Sequence, residues 1–250
     1  MTPRSISAVL PAHNEEAVIA QTVQRTWAAL RRQGLEWFEI LVVDDGSSDR
    51  TAEVVLDLTT ELPEVGLLRH ERNRGYGAAL RTGFDTARGE AVFFMDSDGQ
   101  FDPDDIATVV PWWDDGAVVF GYRAHRRDPW IRRANHWAFF TLVRILFGET
   151  TRDVNCAFKL FPRHIGTGLT CDGAVIGTEL VLRARRHGYR IAEVAIPHYP
   201  RLTGQPTGAR PLVILRAFGE LFALRRRGPL AAGREGAVDS GAPVAGAALR

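Results

Sequence analysis

The chain has 250 residues, 45% of them hydrophobic and 24% charged, enough apolar material for one sizeable core and far from a disordered or fibrous composition. A formal net charge of +1 gives no global reason to expect a nucleic-acid partner. Two cysteines, Cys156 and Cys171, with no CxxC spacing suggest neither a disulfide framework nor a structural zinc site; together with the lack of a secretory pattern at the N-terminus they favour a cytoplasmic location.

Taken in order, Ser5 to Leu10, Glu39 to Val43, Val65 to Arg69 and Ala91 to Met95 are short runs of Val, Ile, Leu and Phe, the pattern of strands buried on both faces. Helical periodicity fills the gaps. The first helix is predicted to open at a cap on Asn14, with Glu15 and Glu16 in its first turn and Gly34 past its end. The second runs from about Asp49 to Pro63, and the third follows Gly77 and ends near Gly89. Val118 to Gly121 adds a strand. Such alternation predicts an α/β fold with a mostly parallel sheet and right-handed crossovers. Later, Pro211 to Arg227 reads as an amphipathic helix, with Ile214, Phe218, Leu221 and Phe222 on one side. The segment 228–250, rich in Gly, Ala and Pro, has no face to bury and is expected to be disordered.

Polar, glycine-bearing segments follow the strands: Pro11 to Glu15, Asp44 to Asp49, Asn73 to Gly77 and Asp96 to Asp102. In an open parallel sheet the carboxyl ends of the strands share one edge, where ligands bind. Asp96-Ser97-Asp98-Gly99-Gln100 delivers two carboxylates from an apolar strand, a donor set suited to Mg2+ or Mn2+ held jointly with substrate phosphates. Asp44 and Asp45 can accept hydrogen bonds from a nucleobase or ribose. The glycines near Tyr76 permit close backbone approach but fail the dinucleotide fingerprint at Leu80.

Together these segments resemble glycosyltransferase family 2, and within it the dolichyl-phosphate and polyprenyl-phosphate sugar synthases. Pro11-Ala12-His13-Asn14-Glu15 is similar to the family's PxYNE opening with His13 in place of tyrosine. Asp44 to Ser47 match its DDGS turn, Asn73, Gly75 and Gly77 its NxGxG loop, and Asp96, Asp98 and Gln100 its DxDxQ element. The resemblance implies a single GT-A type domain over 1–227, its nucleotide-sugar half at about 1–120 and its acceptor half at 121–227. It implies an inverting transfer from a nucleotide-diphosphate sugar, GDP-mannose or a UDP-hexose, to a polyprenyl phosphate. Pro11, Asn14, Glu15, Asp44, Asp45, Gly75, Asp96 and Ser97 are then the donor set, with Asp96, Asp98 and Gln100 as metal ligands.

In the second half Gly121-Tyr122-Arg123 resembles a GxR element, Asp153 to Lys159 a D..CGFK stretch, and Arg201 with Gly204 an RxxG element. Arg123, Arg133 and Arg201 are by this resemblance the acceptor-phosphate grip, and Asp98, Arg123 and Arg201 the catalytic group. A hydroxyl acceptor would need a base, for which Asp153 and Glu179 are candidates. Arginines 123, 126, 127, 132 and 133 around Trp130, ahead of Trp137, Phe139 and Phe140, suit an anionic membrane face, so a peripheral location is expected. The rival readings are a transferase with a hydroxyl acceptor, a processive polysaccharide synthase, a haloacid-dehalogenase-like phosphohydrolase and a non-catalytic sugar-nucleotide-binding module. The synthase lacks its QxxRW element and membrane spans. The phosphohydrolase would place DxDG at the first strand, whereas three strand-helix units precede it here.

Overall fold

A computed structural model describes residues 2–113, 116–124, 130–148, 151–201 and 211–227, the side chains of 130–136 and 211–215 excepted. The elements are β1 (Ser5–Ala12), α1 (Ile19–Arg31), β2 (Trp37–Asp44), α2 (Thr51–Glu61), β3 (Val65–Arg69), α3 (Tyr76–Thr86), β4 (Ala91–Met95), the short α4 (Ile106–Val109), β5 (Ala117–Arg123), α5 (Trp130–Phe147), β6 (Phe158–Pro162), the short α6 (Arg163–Gly166), α7 (Ile176–Arg186), β7 (Arg190–Ile196) and α8 (Pro211–Arg226).

One seven-stranded sheet has the order β3-β2-β1-β4-β6-β5-β7. β1 pairs in parallel with both β2 and β4, and β5 with β7. The predicted strands are therefore present in the predicted parallel arrangement. β6 is the exception, running antiparallel between β4 and β5. Its sequence, with Lys159 as its second residue and Pro162 at the end, carries no strand signal strong enough to announce it. Antiparallel insertion has a functional consequence: the start of β6 lies at the same edge as the carboxyl ends of the other six strands. The chain order reverses between β1 and β4, and at such a reversal the flanking loops diverge and leave a crevice.

The sheet is the core. All five residues of β4 and all five of β6 are buried. Their phenylalanines interlock across the strands, Phe93 with Phe158 at 4.9 Å and Phe84 of α3 with Phe161 at 5.3 Å between ring centroids, edge to face. The rigid layer so formed carries the polar loops at its edge.

The first helix differs from expectation. It begins at Ile19 with no side-chain cap, and Asn14 stands ahead of it in the left-handed region at φ 56°. The amides of Val18 and Ile19 instead close a turn on the Glu15 carbonyl. Asn14 is free to leave the helix because its side chain has another partner, described below. The C-terminal helix forms where predicted, but its inner face docks on this domain: Ala217, Leu221 and Leu224 are buried, and Phe218 meets Phe139 of α5 at 6.5 Å. Phe222 faces solvent. The 228–250 segment and Gly204 lie outside the described residues.

Candidate active site

The turns after β1 and β2 are knitted together. Asp45 N donates to the Ala12 carbonyl at 2.9 Å, and His13 Nδ1 donates to the Asp45 carbonyl at 3.0 Å. Asn14 N donates to Ser47 Oγ, while Asn14 Oδ1 accepts from Ser48 N, both at 2.9 Å. Glu15 N donates to Thr51 Oγ1 at 2.9 Å. Gly46 allows this packing at φ 66°, since a Cβ there would stand 2.4 Å from the Arg72 carbonyl carbon. Beneath the turn, Asp44 is fully buried; its Oδ1 accepts from Ser47 N at 3.0 Å. Its Oδ2 receives no hydrogen bond, although Arg69 Nε stands 3.1 Å away in ion-pair range. That oxygen, ion-paired but without a hydrogen bond, can accept one from a ligand N–H or O–H.

Asp45 has a different duty. Its Oδ1 accepts from His70 Nδ1 at 2.7 Å and Arg74 N at 2.9 Å, and its Oδ2 accepts from Gly75 N at 2.8 Å. The next amides, Gly77 N and Ala78 N, donate to the Asp172 carbonyl at 2.8 and 3.3 Å. Asp45 and Gly75, expected to touch the donor, are thus committed to shaping the loop that opens α3. No dinucleotide-type cradle of free amides is formed by these four residues. What the loop does send toward the strand edge is Tyr76, whose hydroxyl donates to Asp96 Oδ1 at 2.9 Å. Sequence reasoning missed Tyr76; its position between the two glycines of the loop was the available signal.

Asp96 and Asp98 emerge from β4. Ser97 between them donates through Oγ to the Pro11 carbonyl at 2.7 Å, fastening this loop to the end of β1. Pro11 and Ser97 therefore join the two strands that flank the crevice. Burial and the charge of Asp98 push the Asp96 carboxyl up to about 7, against the Tyr76 hydrogen bond and the charges of Arg123 and Arg201. Asp98 Oδ1 accepts from Gln100 N at 3.0 Å, and its Oδ2 pairs with the Arg201 guanidinium. Glu15 is also pushed up to about 7, chiefly by burial, with Arg201 opposing and Asp98 and Asp49 adding to the shift. Asp98 thus repels both Glu15 and Asp96, in a region that favours positive charge.

That donor set fits a divalent cation. Among the described residues no three His, Cys, Asp or Glu side chains are grouped to hold a metal unaided. Mg2+ in particular uses one or two carboxylates and completes its shell with water and substrate phosphates. Asp96 and Asp98 would hold the ion, with remaining positions for diphosphate oxygens. Gln100, the third expected ligand, spends its Nε2 on the Tyr199 carbonyl at 3.0 Å, which orients the amide.

Arg123, expected to grip the acceptor phosphate, ends β5 and holds Asp153 with two bonds, Nε to Oδ2 at 2.7 Å and Nη2 to Oδ1 at 2.9 Å. Both oxygens of buried Asp153 are engaged, a poor arrangement for a general base. Glu179 is fully buried in α7 and accepts from Thr170 N, Thr170 Oγ1 and Cys171 N at 2.8–2.9 Å. Its work is to hold the 170–171 backbone, and the base role expected of it does not fit. Arg133 belongs to α5, but its side chain lies outside the described residues. Lys159, buried in β6, donates to the Cys156 carbonyl between the rings of Phe94 and Phe120, and burial pushes its pKa down to about 8.

Comparison with known proteins agrees with this geometry. A family model described as "Glycosyl transferase family 2" matches residues 7–168. An undecaprenyl-phosphate 4-deoxy-4-formamido-L-arabinose transferase of Pectobacterium carotovorum subsp. carotovorum is 35% identical over 205 residues, 80% of this chain and 62% of the relative. The same-named protein of Pectobacterium atrosepticum is 34% identical over equal shares. The chain thus spans less than two thirds of these relatives' length. Among solved structures, glucosyl-3-phosphoglycerate synthase from Mycobacterium tuberculosis in complex with UDP superposes with a TM-score of 0.69 at 21% identity, covering 89% of this chain and 80% of that one. The same enzyme with Mn2+, UDP-glucose and phosphoglyceric acid gives 0.69 at 23% identity with the same shares. These likenesses carry the GT-A type fold. The matched span contains the strand-end motifs through the DxDxQ element and the Arg123–Asp153 pair, and on that ground the chain belongs to glycosyl transferase family 2.

Proposed function

We propose that this chain transfers a sugar from a nucleotide-diphosphate donor to a polyprenyl phosphate, with Asp96 and Asp98 holding Mg2+ or Mn2+ and with inversion at the anomeric carbon. The observation that carries the reading is the pairing of Arg201 with Asp98, 103 residues apart, which joins the expected acceptor grip to the expected metal ligand. A divalent ion bound there would neutralise charge on the departing diphosphate. Asp44, with an unfilled acceptor oxygen, and Asn14 and Glu15 beside it line the donor end. Arg123 and Arg201 orient the acceptor phosphate, each already aimed by a carboxylate.

The kind of acceptor follows from what the carboxylates are free to do. A phosphate monoester with a second pKa of ~6 is largely ionised at neutral pH and attacks without a base. A hydroxyl would need one, and Asp153 and Glu179 are otherwise engaged. The relatives' names specify an undecaprenyl phosphate, which supports the same class here. A hydroxyl acceptor is the second reading, favoured by Glu15, whose carboxyl at about 7 suits proton transfer.

No helix among the described residues is long and apolar enough to cross a membrane. A peripheral position on the cytoplasmic face fits exposed Trp137 and Ile145 of α5 and Phe222 of α8, apolar groups on two helices that touch through Phe139 and Phe218. The deciding assay offers radiolabelled nucleotide sugars, with Mg2+ or Mn2+, to polyprenyl phosphate in detergent and to soluble hydroxyl acceptors. Lipid-linked product that is lost in Asp98→Asn is expected. Product on the hydroxyl acceptors alone would overturn the lipid-phosphate assignment.

A further inference from the structure

The segment Asn73–Ala78 that opens α3 carries two glycines, Gly75 and Gly77, and four of its amides are spent inside the protein. Arg74 N and Gly75 N bind the Asp45 carboxylate, and Gly77 N and Ala78 N bind the Asp172 carbonyl. Its glycines are explained by these contacts. Gly75 sits at φ 103°, a conformation side chains rarely adopt, and a Cβ on Gly77 would meet the Asp172 carbonyl carbon at 2.5 Å. The residue held between them is Tyr76. It is 40% exposed, so packing alone does not account for its placement, and its hydroxyl reaches Asp96 Oδ1 at 2.9 Å.

We propose that Tyr76 is a positioning residue for the metal-binding carboxylate Asp96, and that the glycine loop serves the reaction by fixing this phenol. The proposal rests on the reading of Asp96 and Asp98 as the metal pair. A hydrogen bond to one oxygen restricts the carboxylate's rotation about its last torsion and directs the other oxygen outward as a hard ligand. Carboxylates that bind metals depend on such outer partners, whose loss typically costs about 10- to 100-fold in affinity or activity. The phenol is held from both sides of the sequence. Asp45 fixes the residues before it and Asp172 the helix turn after it, and Arg81 of the same helix pairs with the Asp172 carboxylate.

The test is Mn2+ binding to the full chain, measured by electron paramagnetic resonance with Mn2+ alone and with Mn2+ plus UDP or GDP, for wild type, Tyr76→Phe, Asp96→Asn and Asp98→Asn. Tyr76→Phe keeps the ring and the loop, so its metal-free melting should match wild type while its Mn2+ affinity falls about 10-fold or more. Wild-type Mn2+ affinity in Tyr76→Phe, with binding lost in the two aspartate variants, would overturn the role of Tyr76 and leave the metal pair standing. Wild-type affinity in all three variants would overturn the metal reading and the Tyr76 inference with it.

Discussion

Glu15 shows how much of the site depends on environment that a sequence does not display. Its carboxyl is pushed from 4.5 to about 7, so between those values the folded chain keeps a proton that the unfolded chain has released. The stabilisation from this group is full below its unfolded pKa and is lost as pH rises through the folded one. Melting temperature of the metal-free protein should therefore fall between about pH 5 and pH 7, and Glu15→Gln should flatten that slope, leaving the part that belongs to Asp96. An unchanged slope in the variant would remove the assigned shift from Glu15. A second residue-scale expectation concerns Arg123. Lysine keeps the charge but cannot reproduce the two-bond fork to Asp153, so Arg123→Lys should lower kcat/KM for lipid-phosphate transfer by about 10-fold or more. Activity within twofold of wild type would reject the need for the fork. At this scale the motif positions were legible and their duties were not. Asp44 and Asp45 are adjacent acids in one turn, yet one keeps an open acceptor while the other binds three N–H groups, and only the packed loop separates the two cases.

Among the elements, those with an uninterrupted apolar run could be read directly: β1, β2, β3, β4 and the core of β5. β6 could not, because a lysine inside so short a strand contradicts a buried run until the rings of Phe94 and Phe120 are seen flanking its ammonium. Helix α1 was misplaced at its start for a related reason. Asn14 is a good cap in isolation, but a neighbouring strand end offers Ser48 N, and the left-handed turn follows. The N-terminus of α3 supplies the element-scale prediction. Its first turn lies against the Asp172 backbone so closely that a methyl group at Gly77 has no room, and Gly77→Ala should destabilise the fold by about 1–3 kcal/mol, read in chemical denaturation. The same variant should weaken Mn2+ binding, since the displaced turn carries Tyr76. Wild-type stability would show that the Asp172 segment yields easily.

At the scale of the whole molecule, the C-terminal helix would meet a membrane only through what it leaves uncovered. Amphipathicity identified α8 but could not say which surface claims its apolar face. Leu221 and Leu224 are almost wholly buried against the domain, Glu220 lies against Gly173, and Arg227 donates to Thr170, so the helix is fastened to the loop whose next residues cap α3. Phe222 is 51% exposed and Trp137 70% exposed, and neither is required to fill the core. The two classes of residue should separate in experiment. Leu221→Ala removes a fully buried side chain and should cost about 2–5 kcal/mol of stability. Phe222→Ser and Trp137→Ser should leave the melting temperature near wild type, because they remove exposed surface, while together reducing sedimentation with vesicles containing anionic lipid. Their effect on transfer should then appear with polyprenyl phosphate in vesicles and shrink in detergent, where no surface has to be found. Equal vesicle binding by the double variant and wild type would take the membrane-facing role away from this helix pair and leave the strand-edge site unaffected.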